Sequence, residues 1–263
     1  MQEVYIIKIG GNIIDDEAKL TSFLKDFAYL ETTKILVHGG GKLATSMAEE
    51  LKIPQKLVDG RRITDAETLK VITMVYAGYI NKKIVAQLQG HGCNAIGLSG
   101  ADGNMVQAHK RIHHSIDYGF VGDIDSINNP FIEFLLSNQL MPVIAPVSHD
   151  QKGQLLNTNA DTIAFEIAKS LSPTYTVSLI YCFEKEGVLQ KMDDESSVIK
   201  HLAKTKYHQL KADNGIFAGM IPKLDNAFSA LDNGVSKVVI GNSNSLHNLI
   251  NGSAGTTITQ DDE

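Results

Sequence analysis

Six short apolar runs, at residues 4–9, 34–37, 95–98, 142–146, 176–181 and 237–240, punctuate the chain and are rich in valine and isoleucine. They are nearly continuous rather than alternating apolar with polar. Such a strand has both faces covered, as in a mostly parallel sheet. Longer segments with helical spacing lie between the runs, at 16–30, 43–51, 65–88, 130–137, 160–170 and 219–231. This alternation predicts an α/β fold, an open sheet with helices on both faces. Three polar, glycine-containing stretches, 55–64, 104–124 and 148–157, read as β-hairpins projecting from one end of that sheet. No linker or internal repeat interrupts the 263 residues. Two lobes, 1–172 and 173–263, are therefore expected to share one continuous sheet.

Charge narrows the function. The net charge of −6 offers no surface for nucleic acid or an anionic membrane. No apolar run approaches the roughly 18 residues of a membrane helix, and the first residues lack a signal-peptide pattern. Cys93 and Cys182 stand far apart and read as reduced thiols of a cytoplasmic protein. The nine histidines show no zinc spacing, and His113-His114 reads as exposed hairpin. No protein-held metal site is expected. The acidic end, 261–263, reads as a disordered tail.

Five motifs carry possible chemistry. Lys8 stands near the end of the first apolar run, which Gly10 and Gly11 follow. A lysine at the end of a buried strand is costly unless its ammonium reaches water or an anion. Ligands of open α/β sheets sit beyond the carboxyl ends of strands. His38-Gly39-Gly40-Gly41-Lys42 joins a run to a helix, where exposed N–H groups and the helix N-terminus favour an anion. It has neither Walker A nor GxGxxG spacing. Asp161, in Asn157-Thr158-Asn159-Ala160-Asp161, enters a helix, and alone this motif reads as a helix cap. Lys223, two residues after Ile221, opposes a helix dipole unless an anion is near. Arg62, before the 65–88 helix, can grip a carboxylate through paired hydrogen bonds. The long helix reads as a core face or a subunit interface, with Thr64 or Asp65 as its cap.

Taken in order, these motifs resemble the amino acid kinase family nearly end to end. Each is weak alone; five in the right order are specific. The resemblance implies a three-layer αβα sandwich, with an acyl-amino-acid-binding lobe at 1–172 and a nucleotide-binding lobe at 173–263. It implies ATP-dependent phosphorylation of the γ-carboxylate of an N-acylated glutamate, acetyl or succinyl, early in arginine biosynthesis, with Mg2+ bridging the β- and γ-phosphates. On the matching positions, Lys8 and Lys223 would neutralise the moving phosphoryl group and Asp161 would hold both lysines. Gly10, Gly11, Gly40 and Gly41 would supply N–H donors, while Arg62 and Asn157 would bind the acceptor. Nucleotide contacts would fall on Gly10, Gly11, Glu184, Gly187, Leu189, Ile216 and Phe217.

Two departures lie in the second lobe. Glu184 stands where the family usually has Asp, and Phe217-Ala218 where it usually has Thr-Gly. They motivate an alternative, a kinase fold kept for sensing. The first strand begins by residue 4, without the N-terminal helix of arginine-inhibited hexamers. The expectation is an arginine-insensitive homodimer with the long helix at its interface.

Overall fold

The computed structural model describes residues 1–58, 61–191, 194, 196–213, 215–216 and 220–260. In the first part of the chain the strands are β1 (Glu3–Ile9), β2 (Thr33–His38), β3 (Lys56–Val58), β4 (Arg61–Ile63), β5 (Ala95–Leu98), β6 (Val106–Lys110), β7 (Gly122–Ile127), β8 (Met141–Ile144), β9 (Val147–His149) and β10 (Leu155–Asn157). β11 (Thr176–Phe183), β12 (His201–Ala203), β13 (Lys237–Asn242) and β14 (Thr256–Thr259) follow. The main sheet has the order β12-β14-β13-β11-β1-β2-β8-β5. The strands from β13 to β5 in this order run parallel, and β14 pairs antiparallel with β13. One sheet thus runs through both parts of the chain, as the apolar runs predict. β1 lies between β2 and β11, with Lys8 level with Val37 and Tyr181.

Period-two alternation splits the core into two layers. Val4 and Ile6 face one way, with Val37 and Leu179, beneath the helices α1 (Ala160–Leu171) and α2 (Ile221–Asp232). Tyr5, Ile7 and Ile9 face the other way, toward the helix Glu17–Ala28 and the long helix. The three-layer αβα sandwich follows from this division. The side chain of Lys8 takes the parity of Val4 and Ile6, so it belongs to the α1–α2 side. His38, of the opposite parity, belongs to the side of the long helix.

The hairpins form with one addition. β3 and β4 pair as a separate ribbon. The β6–β7 and β9–β10 hairpins join through β6 and β9 into a four-stranded sheet. The long helix is not a uniform α-helix. Ala66–Ile72 and Asn81–Gly90 are α-helical, while Thr73–Ile80 between them is wound as a π-helix. Its continuous apolar stripe fits either winding, so spacing alone does not reveal the change. Asp65 is its cap, accepting from Thr68 N–H at 2.8 Å. The short strands β12 and β14 and the helix Lys204–Ala212 have no counterpart among the apolar runs. Asp59, Gly60, Phe217, Ala218, Gly219 and the tail 261–263 lie outside the described residues.

Candidate active site

At the carboxyl end of β1 the ammonium of Lys8 lies 2.7 Å from Asp161 Oδ1, and that of Lys223 lies 2.6 Å from Asp161 Oδ2. β1 contributes Lys8, α2 contributes Lys223, and α1 contributes Asp161 in its first turn. Asp161 does not cap α1. That role falls to Asn159, whose Oδ1 accepts from the N–H groups of Asp161 and Thr162. Such a cap stabilises a helix by about 1 kcal/mol and leaves the Asp161 carboxylate for the two lysines. The Lys223 contact is an aligned hydrogen bond. The Lys8 contact is an ion pair that leaves Oδ1 without an aligned donor.

The electrostatics follow from burial. Burial raises the proton affinity of the Asp161 carboxyl, but the Lys8 and Lys223 ammoniums overcome it and hold the group well below the usual carboxylate range. Burial pulls the Lys8 ammonium downward, against the attraction of Asp161. Tyr181, beside Lys8 in the sheet, donates its hydroxyl to Asp161 backbone oxygen at 3.2 Å. Lys8 and Lys223 thus share one negative charge, leaving a net positive locus for an incoming anion.

Two cavities meet at this locus. One, of about 590 Å³, is lined by Gly10, Gly11, Glu184, Gly187, Leu189 and Ile216 together with Lys8 and Lys223. These are the expected nucleotide contacts, apart from Phe217, which lies outside the described residues. Glu184 accepts a hydrogen bond from Asn12 Nδ2, so the residue that departs from the family pattern is tied to the first glycine turn. The other cavity, of about 670 Å³, contains Gly40, Arg62 and Asn157, again with Lys8, Asp161 and Lys223. Arg62 donates to Thr45 Oγ1 at 2.9 Å and to Gln55 Oε1, and Asn157 Nδ2 donates to Thr64 Oγ1 at 3.0 Å.

Gly41 is not among the lining residues of the second cavity. It turns the chain behind the wall with φ of +62°, a conformation that favours glycine. A Cβ on Gly11 would lie 2.7 Å from Gly41 Cα, so the two glycine turns touch. Asp15 fastens this junction, accepting from Lys42 N–H at 2.8 and 3.0 Å. Sequence reasoning does not single out Asp15, because an acidic residue between helices looks like an ordinary cap.

Tyr76 and Arg111 also line the second cavity without having been anticipated. Tyr76 belongs to an apolar stripe and carries no signal separating it from core. Arg111 is held by Asp123, with Nε 3.0 Å from Oδ1. It follows a polar strand, where a solvated charge is the ordinary expectation. Among the described residues no group of three His, Cys, Asp or Glu side chains can hold a metal. No helix among them is long and apolar enough to cross a membrane.

The model of the amino acid kinase family matches residues 3–242. The chain is 55% identical over 252 residues to the acetylglutamate kinase of Cytophaga hutchinsonii, covering 95% of this chain and 96% of that protein. It is 51% identical over 257 residues to the acetylglutamate kinase of Phocaeicola vulgatus, covering 98% of each. Among solved structures, the Streptococcus mutans protein smu.665 is 28% identical with a TM-score of 0.81, over 98% of this chain and 99% of that one.

Proposed function

Because the chain belongs to the amino acid kinase family, we infer that it transfers the γ-phosphoryl group of ATP to the γ-carboxylate of N-acetyl-L-glutamate, a step of arginine biosynthesis. One observation carries this reading: two cavities share Lys8 and Lys223, and the chemistry must cross between them. The relatives named acetylglutamate kinase at 55% and 51% identity support acetyl rather than succinyl as the acyl group.

The nucleotide occupies the cavity of Gly10, Gly11 and Glu184, and the acceptor that of Gly40, Arg62 and Asn157. Arg62 binds the α-carboxylate through its planar donors, and Asn157 the amide of the acyl group. The γ-carboxylate oxygen attacks the γ-phosphorus while the bond to the β-phosphate oxygen breaks. ADP leaves and an acyl phosphate forms. A carboxylate is already anionic, so no general base is needed. Phosphoryl transfer then depends on positioning and charge neutralisation. Lys8 and Lys223 supply the charge, and Asp161 keeps two repelling ammoniums on one path. Mg2+ supplies further charge neutralisation on the phosphates. Magnesium in phosphoryl-transfer sites keeps several waters and is bound through substrate phosphates with one or two carboxylates.

We assign the dimer contact to the long helix, where Met74 and Tyr79 are both 58% exposed. Large apolar side chains left exposed on one element suit a subunit interface. The free thiols Cys93 and Cys182 and the use of ATP suit the cytoplasm.

Hydroxylamine trapping tests the reaction. With ATP and N-acetylglutamate the protein is expected to yield the hydroxamate, and N-succinylglutamate run beside it reports acyl preference. No hydroxamate from either acceptor would overturn the reading.

A further inference from the structure

The side of the sheet opposite Lys8 holds a buried polar chain that the reaction does not use directly. His38 and Asn81 are both fully buried. His38 Nδ1 lies 2.8 Å from the backbone oxygen of Gly39. A carbonyl oxygen only accepts, so Nδ1 carries the proton. Asn81 Nδ2 lies 3.1 Å from His38 Nε2 and 2.9 Å from Val143 backbone oxygen. An amide nitrogen only donates, so Nε2 is the acceptor. Lys82 Nζ fixes the other end of the amide, donating to Asn81 Oδ1 at 3.2 Å. Every donor has an acceptor, and the imidazole is neutral in one tautomer.

This chain acts on one peptide unit. In a planar trans peptide the C=O of one residue and the N–H of the next point in opposite directions. Pinning the Gly39 carbonyl against His38 therefore aims the Gly40 N–H the other way. Gly39 and Gly40 line the acceptor cavity. The Gly40 N–H has no hydrogen-bond partner among the described residues. We propose that His38 and Asn81 are positioning residues that fix the Gly39–Gly40 peptide and so hold the Gly40 N–H on the acceptor. The helix carrying Asn81 continues from the π-helical turn whose Tyr76 packs against Gly40. One helix thus sets the acceptor turn at two points.

The inference rests on the proposed kinase reaction, so hydroxamate formation by the wild type is measured first; its absence sinks that reading. With an active wild type, His38→Ala is expected to lower kcat/KM for N-acetylglutamate about tenfold or more while the KM for ATP stays within about twofold. His38→Asn places an amide N–H where Nδ1 stood and is expected to recover most of the loss. Asn81→Ala, which frees the tautomer, is expected to show the same acceptor-side loss and serves if His38→Ala does not fold. Histidine ¹⁵N spectra of the wild type are expected to show His38 protonated at Nδ1. Unchanged acceptor kinetics in folded His38→Ala or Asn81→Ala, no recovery in His38→Asn, or a proton on Nε2 would each overturn the proposal.

Discussion

Lys8 and Asp161 stand 2.7 Å apart where the two cavities join, although one comes from the first strand and the other from a helix that begins at Ala160. Their pairing is a poor device for stability. A buried ion pair forfeits hydration that its mutual attraction barely restores. Its retention makes sense if the excess charge of Lys8 and Lys223 meets a phosphoryl group. Lys8→Ala and Lys223→Ala are each expected to lower kcat by about a hundredfold or more, the scale for deleting a preorganised charge donor. Steady-state kinetics beside a circular-dichroism melt checks this; full turnover in a folded variant would remove the lysines from the mechanism.

Gly40 allows a steric test. A Cβ there would lie 1.8 Å from Tyr76 Cζ, far inside contact distance. Tyr76 is buried in the core layer of the long helix and has little room to withdraw. Gly40→Ala is expected to raise the acceptor KM about tenfold or more, with the ATP KM little changed, because displacement of a cradle weakens binding on its own side. Adding Tyr76→Leu is expected to restore part of the loss. Additive effects in that double-mutant cycle would show that the two residues act apart.

These tests fall on residues of unequal legibility. Lys8 is readable because an ammonium at the end of a buried strand, followed by glycines, is costly without an anion; Asp161, Lys223, Arg62 and Asn157 are weak alone and legible through their order along the chain. The sheet core is readable because burial on both faces leaves continuous apolar runs. Tyr76 is not readable, since a ring lining a cavity and a ring filling a core make the same apolar stripe. Asp15 acts on the backbone N–H of Lys42 and Asn81 on the ring of His38, partners distant in sequence that neither spacing nor composition records. β12 and β14 escape notice because His201–Ala203 and Thr256–Thr259 are short and mix polar with apolar residues, so neither makes a continuous apolar run.

The long helix makes a prediction about assembly. Met74 and Tyr79 present exposed apolar area on the π-helical segment. If this face joins two copies, a charge placed in it must be desolvated on association. Tyr79→Glu is expected to shift the protein from dimer to monomer in sedimentation at micromolar concentration, about a hundredfold weakening or more. An unchanged dimer mass would move the interface elsewhere.

The last prediction concerns acid. Burial pulls the His38 imidazole down to about 4 from its ordinary 6.5. Between those values the unfolded chain binds a proton that the native protein refuses. Stability contributed by the neutral ring is therefore complete above about pH 6.5 and is lost as pH falls toward 4. The gap corresponds to about 3 kcal/mol at its fullest. Asp161 adds no slope in that window. Its carboxyl is held far below the usual range, so its stabilisation is present above the unfolded carboxylate value near 3.8 and lost only at lower pH. Urea unfolding from pH 7 to 4.5 is expected to show the wild type losing stability while His38→Asn loses less over the same interval. Equal slopes in the two proteins would place the acid sensitivity on other groups.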